Sequence, residues 1–236
     1  MPRKSRQDVR RAWSHAEGAR LRLEVQEPVV EGHLDIFLDL YERRVDDMAY
    51  GVAFARQARD SVLHGGDYFA IFAFEGEDLV GGCLCQRSTE FDAVLLRFSA
   101  VDPKWRNVSL ARVLHTRAFR VTREQGFGRV TLGDDPNLYG HMVKPGLSPF
   151  KARLGFDPVP AGTLGPRFSG DVADRLISLD RLTDPTVMLG YTGATDATGE
   201  TSELMAYVAG ANEPADLARY TTHSIRTVRP LTAPAR

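Results

Sequence analysis

Leu34, Phe37, Leu38, Tyr41, Val45, Met48 and Val52 fall three or four residues apart, the repeat of one helix face. The stretch from Leu34 to about Leu63 therefore predicts one long or two short amphipathic helices. His64-Gly65-Gly66-Asp67-Tyr68 ends that pattern. The next segment, YFAIFAFEGEDLVGGCLCQRS (68–88), runs apolar and aromatic, turns at Glu75-Gly76-Glu77-Asp78, and returns apolar, which predicts a β-hairpin. Gly81 and Gly82 inside the returning run point to a bulge or a close backbone approach. AVLLRFSAV (93–101) is short and apolar enough for a central strand, and Pro103 blocks its extension. Leu110, Val113, Leu114, Ala118 and Val121 then mark the inner face of a helix over 109–125, with Gly126 just past its end. GRVTLGDD (128–135) reads as another strand. The stretch 146–159 reads as a short helix begun at Ser148-Pro149, with a strand after it.

Helix, hairpin, strand, helix, strand, helix, strand is the order of a mixed α/β layer, a central mixed sheet flanked by helices. After residue 160 the texture changes. TGATDATGETS (192–202) is a polar loop between the strand-like stretches TVMLGY, ELMAYVAG and HSIRTVRPL. These predict a small, antiparallel, β-rich C-terminal extension. The expected organisation is a basic N-terminal arm (1–30), the α/β domain (31–160) and the extension (161–236).

The chain has 236 residues, 43% hydrophobic and 26% charged, with a formal net charge of −1. That is enough material for a buried core, and no global field directs the protein to nucleic acid or membrane. There is no N-terminal apolar leader and no apolar run near the ~18 residues of a membrane span, so the expectation is a soluble, cytoplasmic protein without membrane partners. Cys83 and Cys85 are the sole cysteines; on a strand they share one face. Their number excludes a disulfide framework and argues against a zinc site, so no metal is expected. Charge is uneven, however. Residues 1–25 carry seven Lys or Arg against three acids. Arg3, Lys4, Arg6, Arg10 and Arg11 form either a solvated arm or a contact for a polyanion such as the phosphates of RNA.

The segment DPKWRNVSLARVL (102–114) carries the candidate chemistry. It delivers a strand to a helix start, where backbone N–H groups lack helical partners and the helix dipole is positive. Asn107 or Ser109 could simply cap this start. Alternatively an anion sits there, with Arg106 as a bidentate donor and small residues at 109 and 111 admitting a diphosphate.

Here the sequence resembles the GNAT acyltransferase superfamily, over about residues 34–160. That family holds the pyrophosphate of coenzyme A in an Arg/Gln-x-x-Gly-x-Gly/Ala loop after its fourth strand. The matching residues are Arg106, Asn107, Val108, Ser109, Leu110 and Ala111. The resemblance implies a GNAT-like central sheet whose fourth and fifth strands splay apart. The donor carbonyl would then sit against the backbone near Phe98, Ser99 and Ala100. Two residues depart from the family pattern. Ser109 stands in place of the first loop glycine. Many acetyltransferases read Phe-Tyr-x-x-x-Gly-Phe, with the tyrosine as general acid, where this chain reads Phe150-Lys151-Ala152-Arg153-Leu154-Gly155-Phe156. Phe150-Lys151 before a glycine is similar to the Fem-type transferases, which take an aminoacyl group from aminoacyl-tRNA.

The resemblance implies an N-acyltransferase acting on a primary amine, either a small molecule or a peptide. Lys151 would stabilise the oxyanion or bind the tRNA 3′ end, joined by Arg153. One of Asp134 and Asp135 would anchor or deprotonate the acceptor ammonium, beside Tyr139 as proton donor and His141 at the acceptor mouth. His64 and His115 read as structural or exposed, and no nucleophile for a covalent intermediate is evident, so the amine attacks directly. The basic N-terminus tips the donor toward aminoacyl-tRNA; acetyl-CoA or another acyl-CoA is the alternative. A GNAT fold that binds RNA or a ligand without catalysis is the third. C-terminal strands leave pairing into a homodimer open.

Overall fold

The computed structural model describes residues 3–48, 53–132, 142–143, 147–156, 186–191, 204–209, 217–221 and 225–230. Two compact units divide the chain, Pro2–Gly133 and Asp134–Arg236.

The first unit is a five-stranded mixed sheet with helices on its faces. Strands β1 (Arg22–Gln26), β2 (Tyr68–Glu75), β3 (Asp78–Ser88) and β4 (Ala93–Val101) run antiparallel in that order, and β5 (Arg129–Thr131) joins β4 in parallel. The 68–88 hairpin forms with Glu75 opposite Asp78. Helix α1 (Arg3–Gly18) packs on α5 (Leu110–Glu124), burying Ala12 and Ala16. Residues 3–18, read from the sequence as a solvated arm or a polyanion contact, form this helix. Short apolar residues on one side of an otherwise charged helix suffice to seat it.

The amphipathic stretch after Leu34 resolves into α2 (Glu31–Asp46), a 3-10 turn at Ala55–Ala58 and α3 (Arg59–His64). Leu34, Phe37, Leu38, Leu40 and Val45 are buried on α2; all but Leu40 are on the predicted stripe, of which Tyr41 is half-buried and Met48, past the helix end, is exposed. Arg56 bridges Asp39 and Glu42, and Arg59 bridges Asp35 and Glu31, at 2.6–2.7 Å. Two guanidiniums therefore clasp α2 to the segment that follows it.

Helices α2 and α5 cover opposite faces of the sheet, and the two β3 glycines let both come close. A Cβ on Gly82 would strike the rings of Phe37 and Phe72 at 2.6 and 2.7 Å; one on Gly81 would press Leu110 and Leu114 at 3.3 and 3.4 Å. Any larger residue would push a helix off the sheet. The main core lies on the α2 side, with Leu34, Phe37, Leu38, Phe72, Phe74, Leu84 and Phe98. Gly126, at φ +85°, ends α5: its N–H reaches the Arg123 carbonyl and the Phe127 N–H reaches that of Thr122.

In the second unit, β6 (Met142–Val143), β7 (Thr186–Tyr191), β8 (Leu204–Ala209) and β9 (Ile225–Pro230) form a four-stranded sheet. Its first three strands are antiparallel, but β9 runs parallel to β8, so the expected all-antiparallel extension is corrected. Strand polarity depends on the path of the connecting chain, which local composition does not encode. Helix α6 (Leu147–Arg153) also belongs to this unit.

Candidate active site

Strand β4 begins paired on both edges and ends paired on one. Its parallel partnership with β5 covers Ala93–Arg129, Val94–Val130 and Leu95–Thr131 and goes no further; Leu132 is already outside the strand. Among the described residues, Leu96–Val101 have no strand on that edge. A bulge lies at the point of parting. Leu84 pairs with Phe98 and Cys85 with Leu96, leaving Arg97 as the extra, exposed residue. A bulge increases the local twist and bends its strand. The backbone of Phe98, Ser99 and Ala100 is therefore offered along an open edge.

The side chains of those three residues serve the interior. Phe98 is packed edge-on against Tyr41 and Phe54, at centroid distances of 5.6 and 5.5 Å, and Ala100 is buried in the same core. Ser99 faces α5, where its Oγ shares a 3.2 Å hydrogen bond with His115 Nε2. His115 is buried and also faces the Cys83 thiol. Cys83 and Cys85 are fully buried with their Sγ atoms 3.8 Å apart. The hydrogen bond from Cys85, aided by His115, holds the Cys83 thiol below its ordinary value against its burial; burial pushes Cys85 up. The line Ser99–His115–Cys83–Cys85 is a polar seam between sheet and α5. The i, i+2 cysteines announced one face, but only the fold brings His115 onto it.

Beyond β4, Asp102 accepts from the Lys104 N–H at 2.9 Å and caps a short helix, α4 (Pro103–Arg106), with Pro103 in its first turn. Aspartate before proline is a readable N-terminus signal: Pro103 both ends β4 and starts α4, a helix not predicted from the sequence above. Trp105 anchors α4 in the interior, while Arg106 and Asn107 are exposed. The chain then reverses through Ser109, at φ 61° and ψ 38°, and α5 starts at Leu110.

That left-handed residue decides how the helix begins. A capping side chain needs extended backbone to reach the second or third N–H of the helix. Ser109 does not have it, and no side chain caps α5. Its hydroxyl instead accepts from the Arg112 guanidinium at 3.0 Å. The capped start by Asn107 or Ser109, open in the sequence, is thereby excluded. The leading N–H groups of α5 thus receive no cap from Ser109, and Arg106, three residues before it, is exposed. Val108 and Ala111 are half-buried, and Leu110 is packed beneath Gly81.

Of the other sequence candidates, Phe150, Lys151 and Arg153 lie on α6. That helix ends as the Gly-Phe dipeptide dictates. Gly155, at φ +92°, donates to the Ala152 carbonyl at 3.0 Å, and Phe156 donates to that of Lys151 at 3.1 Å. Asp134, Asp135, Tyr139 and His141 lie outside the described residues. Arg3, Lys4, Arg6, Arg10 and Arg11 are on the exposed faces of α1. Among the described residues, no three His, Cys, Asp or Glu side chains are grouped to hold a metal ion, and no helix is long and apolar enough to cross a membrane.

The first unit thus places the unpaired end of β4 before a helix start that Ser109 does not cap, with Arg106 exposed between them. A profile of the acetyltransferase (GNAT) domain family matches residues 3–151, so the chain belongs to that family and is an acyltransferase. No curated protein sequence matches it. Solved structures with similar folds include an aminoglycoside acetyltransferase, meta-AAC0020, from an uncultured soil metagenomic sample in complex with sisomicin (13% identity, 67% of this chain and 93% of that one, TM-score 0.41). Another is aminoglycoside N-acetyltransferase AAC(6')-Iy in complex with CoA (15%, 58% and 88%, 0.43). A third is the GNAT family protein SP0256 from Streptococcus pneumoniae TIGR4 (14%, 68% and 98%, 0.42).

Proposed function

We propose that this chain transfers an acyl group, acetyl in the simplest case, from coenzyme A to a primary amine. The observation that carries this reading is the uncapped start of α5, with Ser109 turned left-handed and Arg106 exposed beside it, at the end of a strand whose outer edge is open. The diphosphate of the donor would take the Leu110 and Ala111 N–H groups and the Arg106 guanidinium. A helix N-terminus carries about half a positive charge, and a charge-assisted bond from arginine adds to it. The thioester would lie along Phe98–Ala100, where backbone N–H groups on the free edge can polarise its carbonyl.

The reaction then needs a neutral amine and a proton for the leaving group. The amine nitrogen attacks the carbonyl carbon, the C–N bond forms, the C–S bond breaks, and the proton lost by nitrogen ends on the thiolate. Asp134 or Asp135 would take the proton from the acceptor ammonium. Tyr139 would protonate the thiolate, and Lys151 would steady the oxyanion. Lys151→Ala should lower turnover without moving the unfolding midpoint if that role holds.

The aminoacyl-tRNA donor, toward which Lys151 and the basic N-terminus pointed, draws no support from the family assignment. The CoA thioester is the better-supported donor. The test is direct: acetyl-CoA should raise the melting midpoint, since a ligand at a hundred times its Kd adds about 2.7 kcal/mol. Thiol release should then appear with an amine panel. Binding without turnover would return the third reading, a fold that holds its ligand without catalysis. Product formation that depends on charged tRNA and is abolished by RNase would overturn the CoA donor.

A further inference from the structure

The acyl-transfer site leaves the basic N-terminus without a task. On α1, Arg3, Arg6, Arg10 and Trp13 follow one another at three- and four-residue steps and form one stripe, about 15 Å long at 1.5 Å per residue. Arg3, Arg6, Gln7 and Arg10 line one surface depression of about 430 Å³. Trp13 carries the stripe across to α5. Its indole N–H donates to Thr116 Oγ1 at 2.9 Å, and the Arg120 guanidinium lies 5.6 Å from its ring centroid. The first acid along the stripe is Glu17, one turn past Trp13. Among the described residues, no carboxylate pairs with Arg3, Arg6, Arg10 or Arg120, whereas Arg56 holds two and Arg59 three. Lys4 and Arg11 are exposed on the other flank of the same helix. A chain of net charge −1 has thus concentrated unneutralised arginines, with an aromatic ring among them, on one two-helix face.

We infer that this face binds nucleic acid through its phosphate backbone. Arginines spaced along a helix suit a row of phosphates, and Trp13 fixes that row against Arg120 on α5. An anionic membrane would ask for something else. A helix that lies in a lipid interface exposes large apolar side chains opposite its charges. The exposed large hydrophobics of the described chain are Val25, Val30, Ile36, Met48 and Phe54, none of them on α1 or α5. Arg120 also lies ten residues from the start of α5, about 15 Å along the axis, so this end of the stripe is set apart from the proposed diphosphate site.

The test uses the full chain and a fluorescein-labelled twenty-nucleotide oligouridylate, with a DNA duplex of the same length as a second probe, read by anisotropy. Four phosphate contacts at a slope of about −0.7 each imply a loss of roughly 50-fold in affinity between 50 and 200 mM salt. Arg6→Gln with Arg10→Gln should shallow that slope by about 0.7 for each arginine removed. Both side chains are exposed, and an unchanged melting midpoint certifies folding. Arg3→Gln with Arg120→Gln serves as the second variant. The inference is overturned if affinity ignores salt, if both double variants bind as the parent does, if acetyl-CoA displaces the oligonucleotide, or if phosphatidylserine–phosphatidylcholine vesicles bind as tightly. Acetyl-CoA binding is measured separately, so the CoA reading and this one fail independently.

Discussion

The Arg112 guanidinium donates a 3.0 Å hydrogen bond to Ser109 Oγ while Ser109 itself stands in the left-handed backbone region. The residue that would ordinarily cap α5 is therefore turned away from it, its oxygen spent on a side chain one turn on. A left-handed conformation costs a residue with a Cβ roughly 1–2 kcal/mol, and the guanidinium bond offsets part of that. The beneficiary is the open helix start.

Ser109→Gly tests this trade. Glycine adopts the same dihedrals freely and removes the Cβ and hydroxyl from the phosphate approach. The variant should gain up to about 1 kcal/mol in urea unfolding and show a lower KM for acetyl-CoA. A less stable variant with a raised KM would mean that the hydroxyl holds the loop in place.

Arg106→Ala should separate binding from folding. The side chain is exposed, so stability should stay within about 0.5 kcal/mol. Loss of a hydrogen bond between charged groups, worth about 1.5–3 kcal/mol, should weaken CoA binding roughly tenfold or more. Calorimetric titration with CoA reads this directly; an unchanged Kd removes Arg106 from the site.

His115→Ala should be far costlier than Ser99→Ala. It opens a cavity in the seam under α5 and strips partners from Ser99 and Cys83, so about 2–4 kcal/mol is expected. Ser99→Ala removes one neutral hydrogen bond, about 1 kcal/mol. Equal losses in chemical denaturation would contradict the arrangement.

Acid should loosen the clasp between α2 and the segment after it. The Arg59 hydrogen bond holds Asp35 below the ordinary 3.8, and the Arg56 hydrogen bond holds Glu42 below 4.5. Because both are depressed in the folded state, the unfolded chain binds protons first. Their contribution is present above the ordinary values and disappears as pH falls through the lowered ones. Carboxyl NMR titration should find both low, and Arg59→Ala should return Asp35 toward its usual value.

By itself the sequence determined what repeats over a few residues. The inner faces of α2 and α5, the 68–88 hairpin, strand β4 and the glycine that ends α5 all follow from spacing, because each is a bargain among neighbours in the chain. The early end of β5, the Arg97 bulge, the seat of α1 on α5, the approach of His115 to Ser99 and Cys83, and the parallel entry of β9 belong to the tertiary structure. Each depends on residues many positions apart meeting across the sheet. So does the candidate site: Arg106 and Ala111 could be picked out from the sequence, but among the described residues the unpaired end of β4 follows from where β5 stops, at Thr131. The left-handed turn at Ser109 is likewise decided by the packing of α4 and α5 around it, since a serine's own preference is for the opposite sign of φ.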